Sequence, residues 1–300
     1  MVGDHVPHRI TTNKKSSEYI MTIATHTITH MPHPATMPRL AVFGDVHGCY
    51  AQFLAAIKYG QHHADHTIFV GDYIDRGPNS AKCFALYLKY LYVRPAGLTL
   101  LPGNHEQILF GSILSQSDKF LNTAAWPKNG CQWWTDYASK RTPAGSHDMR
   151  EHRAGARLGV IDALVADGGL DRDTATKWLD HACELWAADE IEKYYQQGHV
   201  LVVHAGVDPR AADPIDWINS HSFLQCNDMH PLWIRDEFLH HEGPYGDSQF
   251  TIVHGHTKTK KAHANESRYR FNVDAHAYGS GILQGIIVDG TNMQRITVAV

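Results

Sequence analysis

The chain has 300 residues, 43% of them hydrophobic and 19% charged. This composition allows a large buried core and excludes a wholly disordered chain. Its 27 Lys and Arg are outnumbered by 31 Asp and Glu, so it lacks the basic excess of proteins that bind nucleic acids or acidic membranes through charge. Neither nucleic acid nor a membrane is therefore expected as a partner.

The cysteines predict a reducing environment. Five of them, at positions 49, 83, 131, 183 and 226, lie far apart in the sequence. This spacing fits neither a zinc ribbon nor a secreted disulfide scaffold. No apolar run approaches the roughly 18 to 20 residues that a membrane span needs. We therefore expect a cytoplasmic protein.

The first 37 residues differ in composition from the rest. They are rich in Thr, His and Ser and have no sustained hydrophobic period. A targeting segment would need a long apolar core or an Arg-rich amphipathic helix, and this stretch has neither. We expect a flexible tail over 1–37, followed by one folded domain over 38–300.

Short apolar runs alternate with helix-like segments from residue 40 onward. The runs lie at 40–43, 67–70, 98–101, 200–203 and 251–253, and the helical patterns at 52–59, 80–92 and 105–114. Apolar residues three and four positions apart are typical of helices that cover a sheet. The alternation predicts an α/β fold, in which ligands bind beyond the carboxyl ends of the strands.

Two further regions complete the predicted architecture. Residues 138–197 have helix-like runs at 158–166 and 171–195, which predict a helical insertion or lid. Its aromatic residues belong either to a lid or to the core. Apolar runs at 271–273, 285–288 and 294–300 predict closing antiparallel strands, with Asp289-Gly290 as a hairpin turn. We expect these last strands to complete a second sheet.

Polar groups follow the first two strands directly. Asp45 and His47 stand two positions apart in a glycine-flanked turn, where both can face one point. Asp72 follows the second strand, and Asp75 and Arg76 lie one short turn beyond it. Because a carboxylate has two oxygens, Asp72 can bridge two cations about 3.5 to 4 Å apart.

Three more strand ends carry histidines. Asn104 and His105 follow the third strand, His204 the fourth, and both His254 and His256 the fifth. In an extended chain His254 and His256 face the same way, and we favour His256 as the ligand because it follows a glycine after the strand has ended. His254 is then a packing or supporting residue. The convergence of five strand ends on His, Asp and Asn predicts a metal site.

The ordered motifs resemble a known family. They are GDVHG at 44–48, GDYIDRG at 71–77, GNHE at 103–106, HAG at 204–206 and GHT at 255–257. The set is similar to the calcineurin-like metallophosphoesterases over about residues 38–290, and more closely to their phosphoprotein phosphatase branch. That branch includes bacterial and phage serine/threonine phosphatases and symmetrical diadenosine tetraphosphatases. Many relatives outside it have a second histidine where this chain has Lys258, and residues 126–130 and 272–281 resemble weaker motifs of the bacterial members.

The resemblance implies a fold, a cofactor and a set of roles. The fold is a two-sheet β-sandwich core flanked by helices, with a helical insertion. The cofactor is a pair of divalent metal ions, expected to be Mn²⁺, although Fe or Zn²⁺ also suits such ligands. One ion is held by Asp45, His47 and Asp72. The other is held by Asp72, Asn104, His204 and His256. The resemblance also implies that His105 is the general acid and that Asp75 orients it. Phosphate binding falls to Arg76, Arg235 and Asn104.

Three functions fit these motifs. The first is a dinuclear-metal phosphomonoesterase that hydrolyses phosphoserine, phosphothreonine and aryl phosphates by attack of a metal-bridging hydroxide. Its substrate would be a phosphorylated protein, a peptide or a small phosphoester. The second is a symmetrical bis(5′-nucleosyl)-tetraphosphate hydrolase, which usually has tryptophan where this chain has Thr257. The third, a non-catalytic binding module, predicts a missing ligand or acid, and none is missing.

Overall fold

The computed structural model describes residues 27–29, 37–114, 130–144, 146, 148–247, 250–258, 267, 269–290 and 292–299. Within these residues no helix is both long enough and apolar enough to cross a membrane. The described strands form two sheets, one of six strands and one of four.

The first sheet is mixed. Its strands are β1 (Thr27–Thr29), β2 (Leu40–Phe43), β3 (His66–Phe69), β4 (Leu98–Leu100), β9 (Ile282–Asp289) and β10 (Asn292–Ala299). Their order is β1-β10-β9-β2-β3-β4. Strands β2, β3 and β4 are parallel neighbours, whereas β9 is antiparallel to both β2 and β10. The carboxyl ends of the three parallel strands therefore meet at one edge.

The second sheet supplies two more strand ends. It contains β5 (Tyr194–Gln197), β6 (Val200–Val203), β7 (Thr251–His254) and β8 (Arg270–Asn272), in that order. Strand β5 is antiparallel to β6, and β6, β7 and β8 are parallel.

A shared apolar cluster joins the two sheets. Val42 and Ile68 of the first sheet belong to one buried cluster with Val202 and Val253 of the second. Side chains alternate along a strand, so Phe43 belongs instead to the cluster formed with the covering helices. The arrangement confirms the predicted α/β fold with a two-sheet core flanked by helices.

Nine helices are described, and some of them begin at an aspartate that caps the first turn. They are α1 (Tyr50–His63), α2 (Ser80–Val93), α3 (Asn104–Leu114), α4 (Gln132–Ala138), α5 (Met149–Ala166), α6 (Arg172–Ala187), α7 (Pro214–Asn219), α8 (Asp236–Leu239) and α9 (Ala277–Ser280). The Asp148 and Asp171 carboxylates accept N-terminal backbone N–H groups of α5 and α6, as N-cap residues do.

The segment of the predicted insertion packs against α3. Helices α5 and α6 lie within it, and Trp186 of α6 stacks on Phe110 of α3 with ring centroids 4.7 Å apart. The indole of Trp186 is 1% exposed, so this aromatic residue belongs to the core. The predicted helix over 171–195 was too long, because Asp189 takes a left-handed φ of 61° and the chain then forms β5.

The final strands divide between the sheets, which corrects our expectation. Strand β8 runs parallel to β7 in the second sheet, whereas the β9–β10 hairpin completes the first sheet beside β2. Gly290 has a φ of 57° in the turn between them, as the Asp289-Gly290 signal predicted. Periodicity identified these strands but carries no information about their distant partners.

The amino-terminal segment also differs from expectation in one place. Strand β1 lies within the stretch expected to be a flexible tail, and it pairs antiparallel with β10. The rest of 1–36, and residues 126–129 of the weaker motif, lie outside the described residues.

Candidate metal centre

The predicted ligands meet at the carboxyl ends of β2, β3, β4, β6 and β7. All six are buried, with exposures of 2% for Asp45, 1% for His47, 1% for Asp72, 5% for Asn104, 1% for His204 and 6% for His256. The two sheets therefore bring together groups from five separate stretches of chain. Burial on this scale is costly for polar side chains unless partners satisfy them.

The turns that carry these groups are conformationally strained. His47, Asp72, Asp75, Arg76 and His256 all have φ between 42° and 71°. Non-glycine residues seldom adopt this left-handed region, and such strain concentrates at functional sites. The strand ends are thus shaped to present particular side chains.

A buried carboxylate that the motif analysis left without a role holds two of these turns. Glu106 accepts backbone N–H groups from Asp72 (2.9 Å), Tyr73 (2.8 Å), Ile74 (3.3 Å) and Gly103 (2.9 Å). Burial, and then the charge of Asp72, raises the pKa of Glu106 to about 8, whereas the N–H groups of Gly103 and Tyr73 favour its carboxylate form. Glu106 ties the turn after β3 to the turn after β4. Its place in GNHE was the available signal.

The first cluster comprises His47, Asp72 and His105, whose ligand atoms lie within 4.8 Å of one another. Nδ1 of His47 is 2.9 Å from the Ile74 carbonyl oxygen, so it carries the proton and donates. Nε2 therefore presents a lone pair, 3.4 Å from Oδ2 of Asp72. An imidazole fixed in this tautomer by a backbone carbonyl is typical of metal ligands.

The second cluster comprises Asp72, His204 and His256. Nδ1 of His204 donates to the Val70 carbonyl at 2.8 Å, while its Nε2 lies 3.5 Å from Oδ1 of Asp72. The same Nε2 is 3.1 Å from Oδ1 of Asn104. Burial lowers the pKa of His204, so its neutral ring directs a lone pair at two acceptor oxygens. A cation between them would satisfy all three, so these residues fit a metal ion.

The clusters share Asp72, and further contacts join Asp45 and Asn104 to them. His256 Nδ1 is 3.0 Å from Oδ1 of Asn104. The His256 backbone N–H donates to both carboxylate oxygens of Asp45, at 3.1 and 3.0 Å. A Cβ at Gly255 would lie 1.9 Å from Asp45 Oδ1, so only glycine permits this approach.

Negative charge is concentrated at this centre. Burial, followed by the charges of Asp274 and Asp72, raises the pKa of Asp45 well above its ordinary value. Asp274 is itself buried, and burial first and Asp72 later raise its pKa to about 6. Three carboxylates held this close favour a bound cation. Asp274 was not assigned a role from the sequence, although it lies in the weaker 272–281 motif.

His105 is paired with Asp75, as the resemblance implied. Its Nδ1 lies 2.6 Å from Oδ2 of Asp75, and its Nε2 lies 3.9 Å from Oδ2 of Asp72. Burial lowers the pKa of His105, but the charge of Asp72 and the Asp75 hydrogen bond outweigh it, so the pKa is raised. The hydrogen bond to Asp75 thus orients the His105 ring so that its Nε2 faces Asp72, which both clusters share.

Two residues that the sequence analysis missed orient Asp75. Trp133 Nε1 donates to Asp75 Oδ1 at 2.7 Å, and Cys131 Sγ donates to Oδ2 at 3.1 Å. Both precede or begin α4, more than fifty residues along the chain from Asp75. No local pattern around Asp75 could have identified them.

The two predicted arginines lie at the mouth of the site. Arg76 Nη1 is 2.9 Å from Nε2 of His47. Arg235 Nη1 donates to Thr257 Oγ1 at 2.7 Å and to the His256 carbonyl at 3.4 Å. Among the described residues neither guanidinium forms an ion pair with a carboxylate. Both therefore keep positive charge available for an anion.

His254 lies outside the two clusters, as expected of a packing residue. It is fully buried, and its ring meets Phe238 edge-on with centroids 4.9 Å apart. The fold thus places His256, and not His254, against Asn104 and Asp45.

Residues 38–279 match the family model of the calcineurin-like phosphoesterases. Because the match covers most of the chain, this protein belongs to that family.

Individual relatives narrow the comparison. Serine/threonine-protein phosphatase 1 of Salmonella typhimurium is 33% identical over 96 residues, which span 31% of this chain and 39% of that protein. A serine/threonine phosphatase of Saccharomyces cerevisiae with similarity to human PP5 has a TM-score of 0.50 and 15% identity, over 87% of this chain and 80% of its own. A structure described as a diadenosine tetraphosphatase has a TM-score of 0.45 and 17% sequence identity. The match covers 88% of this chain and 96% of that one.

Proposed function

We propose that this chain is a metal-dependent phosphatase that hydrolyses phosphoserine and phosphothreonine monoesters. The observation that carries the proposal is the position of Asp72. Its Oδ2 faces Nε2 of His47 at 3.4 Å while its Oδ1 faces Nε2 of His204 at 3.5 Å. One carboxylate is thus shared by two groups of ligand atoms.

The residues present suit two divalent cations. Asp45, His47 and Asp72 would hold one of them, and Asp72, Asn104, His204 and His256 the other. Carboxylate, amide and imidazole donors suit Mn²⁺, Fe or Zn²⁺, and Mn²⁺ is our choice from the family resemblance. When bound, such a pair of cations polarises a phosphoryl group and lowers the pKa of a water molecule toward neutrality.

The arginines would bind the phosphoryl oxygens. A phosphate dianion needs concentrated positive charge, and a guanidinium can donate two parallel hydrogen bonds to it. Arg76 lies beside His47 of the first cluster, and Arg235 lies beside His256 of the second. Their hydrogen-bond partners here are neutral groups, so binding an anion removes no existing ion pair among the described residues.

His105 would supply the proton for the leaving group. A serine alkoxide is a poor leaving group, so protonation as the P–O bond breaks is important. Asp75 holds the Nδ1–H of His105, which leaves the Nε2 proton free to be donated. Trp133 and Cys131 in turn fix Asp75.

Two observations favour a protein substrate over a dinucleoside tetraphosphate. The relative that is 33% identical over 96 residues is a serine/threonine phosphatase. Thr257 is a small residue whose hydroxyl accepts a hydrogen bond from Arg235, at the position where the hydrolases usually carry a tryptophan. Cleavage of phosphorylated proteins, peptides and small aryl phosphates is therefore the preferred assignment.

A direct comparison of substrates tests this proposal. The protein is stripped of metal with a chelator, reloaded with Mn²⁺, and assayed with a phosphoserine peptide, para-nitrophenyl phosphate and diadenosine tetraphosphate. We expect metal-dependent release of phosphate from the first two. Cleavage of the dinucleotide alone would overturn the proposal in favour of a symmetrical bis(5′-nucleosyl)-tetraphosphate hydrolase.

A further inference from the structure

A positively charged ledge lies beside the candidate centre, and the metal and phosphate roles leave it unexplained. It comprises Lys258, His276 and Tyr278, next to Arg76. The guanidinium carbon of Arg76 lies 5.3 Å from the centroid of the Tyr278 ring, and Nζ of Lys258 lies 5.8 Å from the same centroid. The ring of Tyr278 also meets His47 edge-on, with centroids 5.3 Å apart. The Tyr278 ring therefore lies close to both Lys258 of the ledge and His47 of the candidate centre.

His276 holds Lys258 without neutralising it. Nε2 of His276 is 3.4 Å from Nζ of Lys258, and the two rings of His276 and Tyr278 meet edge-on at 4.1 Å. Burial, followed by the charges of Lys258 and Arg76, lowers the pKa of His276. The neutral imidazole can then accept a hydrogen bond from the ammonium group. An aspartate or glutamate here would have cancelled the lysine charge.

The backbone of His276 is strained into this position. Its φ is 61° and its ψ is 52°, a left-handed conformation that is costly for a residue other than glycine. The Asp274 carboxylate accepts the backbone N–H of His276 at 2.8 Å and helps to hold the turn. Asp274 is buried, and no described carboxylate forms an ion pair with Lys258 or Arg76. The charges of Arg76 and Lys258 each act to lower the pKa of Asp274, so Asp274 offsets part of their positive charge. It forms no ion pair with either one, and both side chains stay exposed to an anion from outside.

We propose that Lys258, held by His276, forms with Arg76 a second anion-binding subsite, which takes an acidic or phosphorylated side chain next to the phosphoserine or phosphothreonine of the substrate. The inference rests on the proposed function and extends it to the choice of substrate sequence. Arg76 contacts both His47 of the candidate centre and the Tyr278 ring beside Lys258, so it connects the phosphate site with the proposed second subsite.

Matched phosphopeptides test the subsite. Three peptides share one phosphoserine and carry alanine, glutamate or a second phosphoserine at the flanking positions. The wild-type protein is expected to prefer the two acidic peptides. The preference is measured as the ratio of kcat/KM for each acidic peptide to kcat/KM for the alanine peptide, which should exceed one. Lys258→Met should reduce this ratio by about two- to fivefold, the range for one exposed ion pair. The preference should also weaken as salt is raised.

Variants of His276 distinguish charge from shape. His276→Asn tolerates the left-handed backbone and should reduce the preference only partly, whereas His276→Asp should abolish or reverse it by cancelling the lysine charge. Lys89→Met, on the exposed side of α2, is the control and should change nothing. Equal preference of the wild-type protein for all three peptides, or the same change in Lys89→Met, would overturn the subsite.

A binding readout separates this inference from the proposed function. The same peptides are used as competitive inhibitors of para-nitrophenyl phosphate turnover, which reports their affinity whether or not they are cleaved. Failure of the proposed function appears as absent peptide cleavage with the acidic preference in Ki retained. Failure of the subsite appears as equal Ki values for the acidic and alanine peptides.

Discussion

At the residue scale, His105 lies close enough to Asp72 to be mistaken for a metal ligand. Its Nε2 is 3.9 Å from Asp72 Oδ2, and its Nδ1 is committed to Asp75. The charge of Asp72 and the hydrogen bond to Asp75 raise the pKa of His105, as suits a residue that donates a proton. We therefore treat His105 as the acid and not as a seventh ligand.

We predict that His105→Asn lowers kcat by about 10² to 10⁴, the usual contribution of a general acid, while the metal content stays close to that of the wild type. His204→Asn is the matched control, because a ligand should lose both metal and activity. Steady-state kinetics and elemental analysis give the two readouts. Equal loss of metal and of kcat in His105→Asn would show that His105 is a ligand.

Arg235 tests phosphate binding separately from chemistry. Arg235→Ala is expected to weaken inhibition by inorganic phosphate about 10- to 100-fold, since a hydrogen bond to a charged group contributes about 1.5 to 3 kcal/mol. Arg235→Lys should recover only part of this, because lysine lacks the guanidinium fork. Arg210→Ala removes an exposed arginine that is paired with Asp208 and serves as control. Unchanged phosphate inhibition in Arg235→Ala would remove this residue from the site.

The proposed ligands could be selected from the sequence because each one lies shortly after the end of a strand. Asp45, Asp72 and His204 need only a local pattern, an apolar run that ends in a polar group. Trp133 and Cys131 were not predictable, because they reach Asp75 from a distant helix and its start. Their contribution depends on packing between elements, which one sequence does not reveal.

At the scale of elements, the turns after β3 and β4 are held by a single group. Glu106 belongs to α3 but accepts four backbone N–H groups. Three are in the turn after β3, at residues 72–74, and the fourth is that of Gly103 in the turn after β4. The hydrogen bonds of Glu106 therefore connect the ends of two neighbouring strands. The positive φ of Asp72 is maintained by this network, since it would be unfavourable in an isolated chain.

We predict that Glu106→Gln lowers the free energy of unfolding by about 1 to 3 kcal/mol, because the amide group directs its own N–H groups at buried donors. Metal content should fall with it, as the Asp72 turn relaxes. Denaturant titration and elemental analysis measure the two effects. Glu192→Gln changes an exposed carboxylate paired with Arg94 and should do neither. Full stability and full metal content in Glu106→Gln would show that the hydrogen bonds of Glu106 do not hold the turns after β3 and β4.

Element types were more predictable than their partners. The runs at 40–43 and 200–203 coincide with β2 and β6, because a buried strand needs a continuous apolar stretch. The β9–β10 hairpin was identified correctly but assigned to the wrong sheet. Pairing of β9 with β2 joins residues over two hundred positions apart, and strand pattern alone does not specify such contacts.

At the scale of the whole molecule, buried neutral histidines link stability to pH. His230 is 1% exposed, accepts the Leu232 N–H at Nδ1, and donates from Nε2 to the Ser222 carbonyl. Burial lowers the pKa of His230 to about 4, below the value of about 6.5 in an unfolded chain. As pH falls from about 6.5 toward 4, the unfolded chain therefore takes up a proton that the folded chain does not. The stability that His230 contributes at neutral pH is lost over this window.

We predict that the stability difference between the wild type and His230→Asn shrinks by about 2 kcal/mol between pH 7.5 and pH 5. Denaturant titrations of both proteins at both pH values measure the difference, and comparing the two proteins cancels the contribution of the buried carboxylates. A difference that stays constant or grows on acidification would mean that His230 is protonated in the folded protein.

We propose that Asp72 lies between two divalent cations in the metal-loaded protein. A crystal structure of the Mn²⁺-loaded protein, with anomalous data at the manganese edge, tests it most directly. We predict two anomalous peaks, one on each side of the Asp72 carboxylate, the first against His47 and Asp45 and the second against His204, His256 and Asn104. A single peak, or peaks remote from Asp72 in a fully active protein, would contradict the claim.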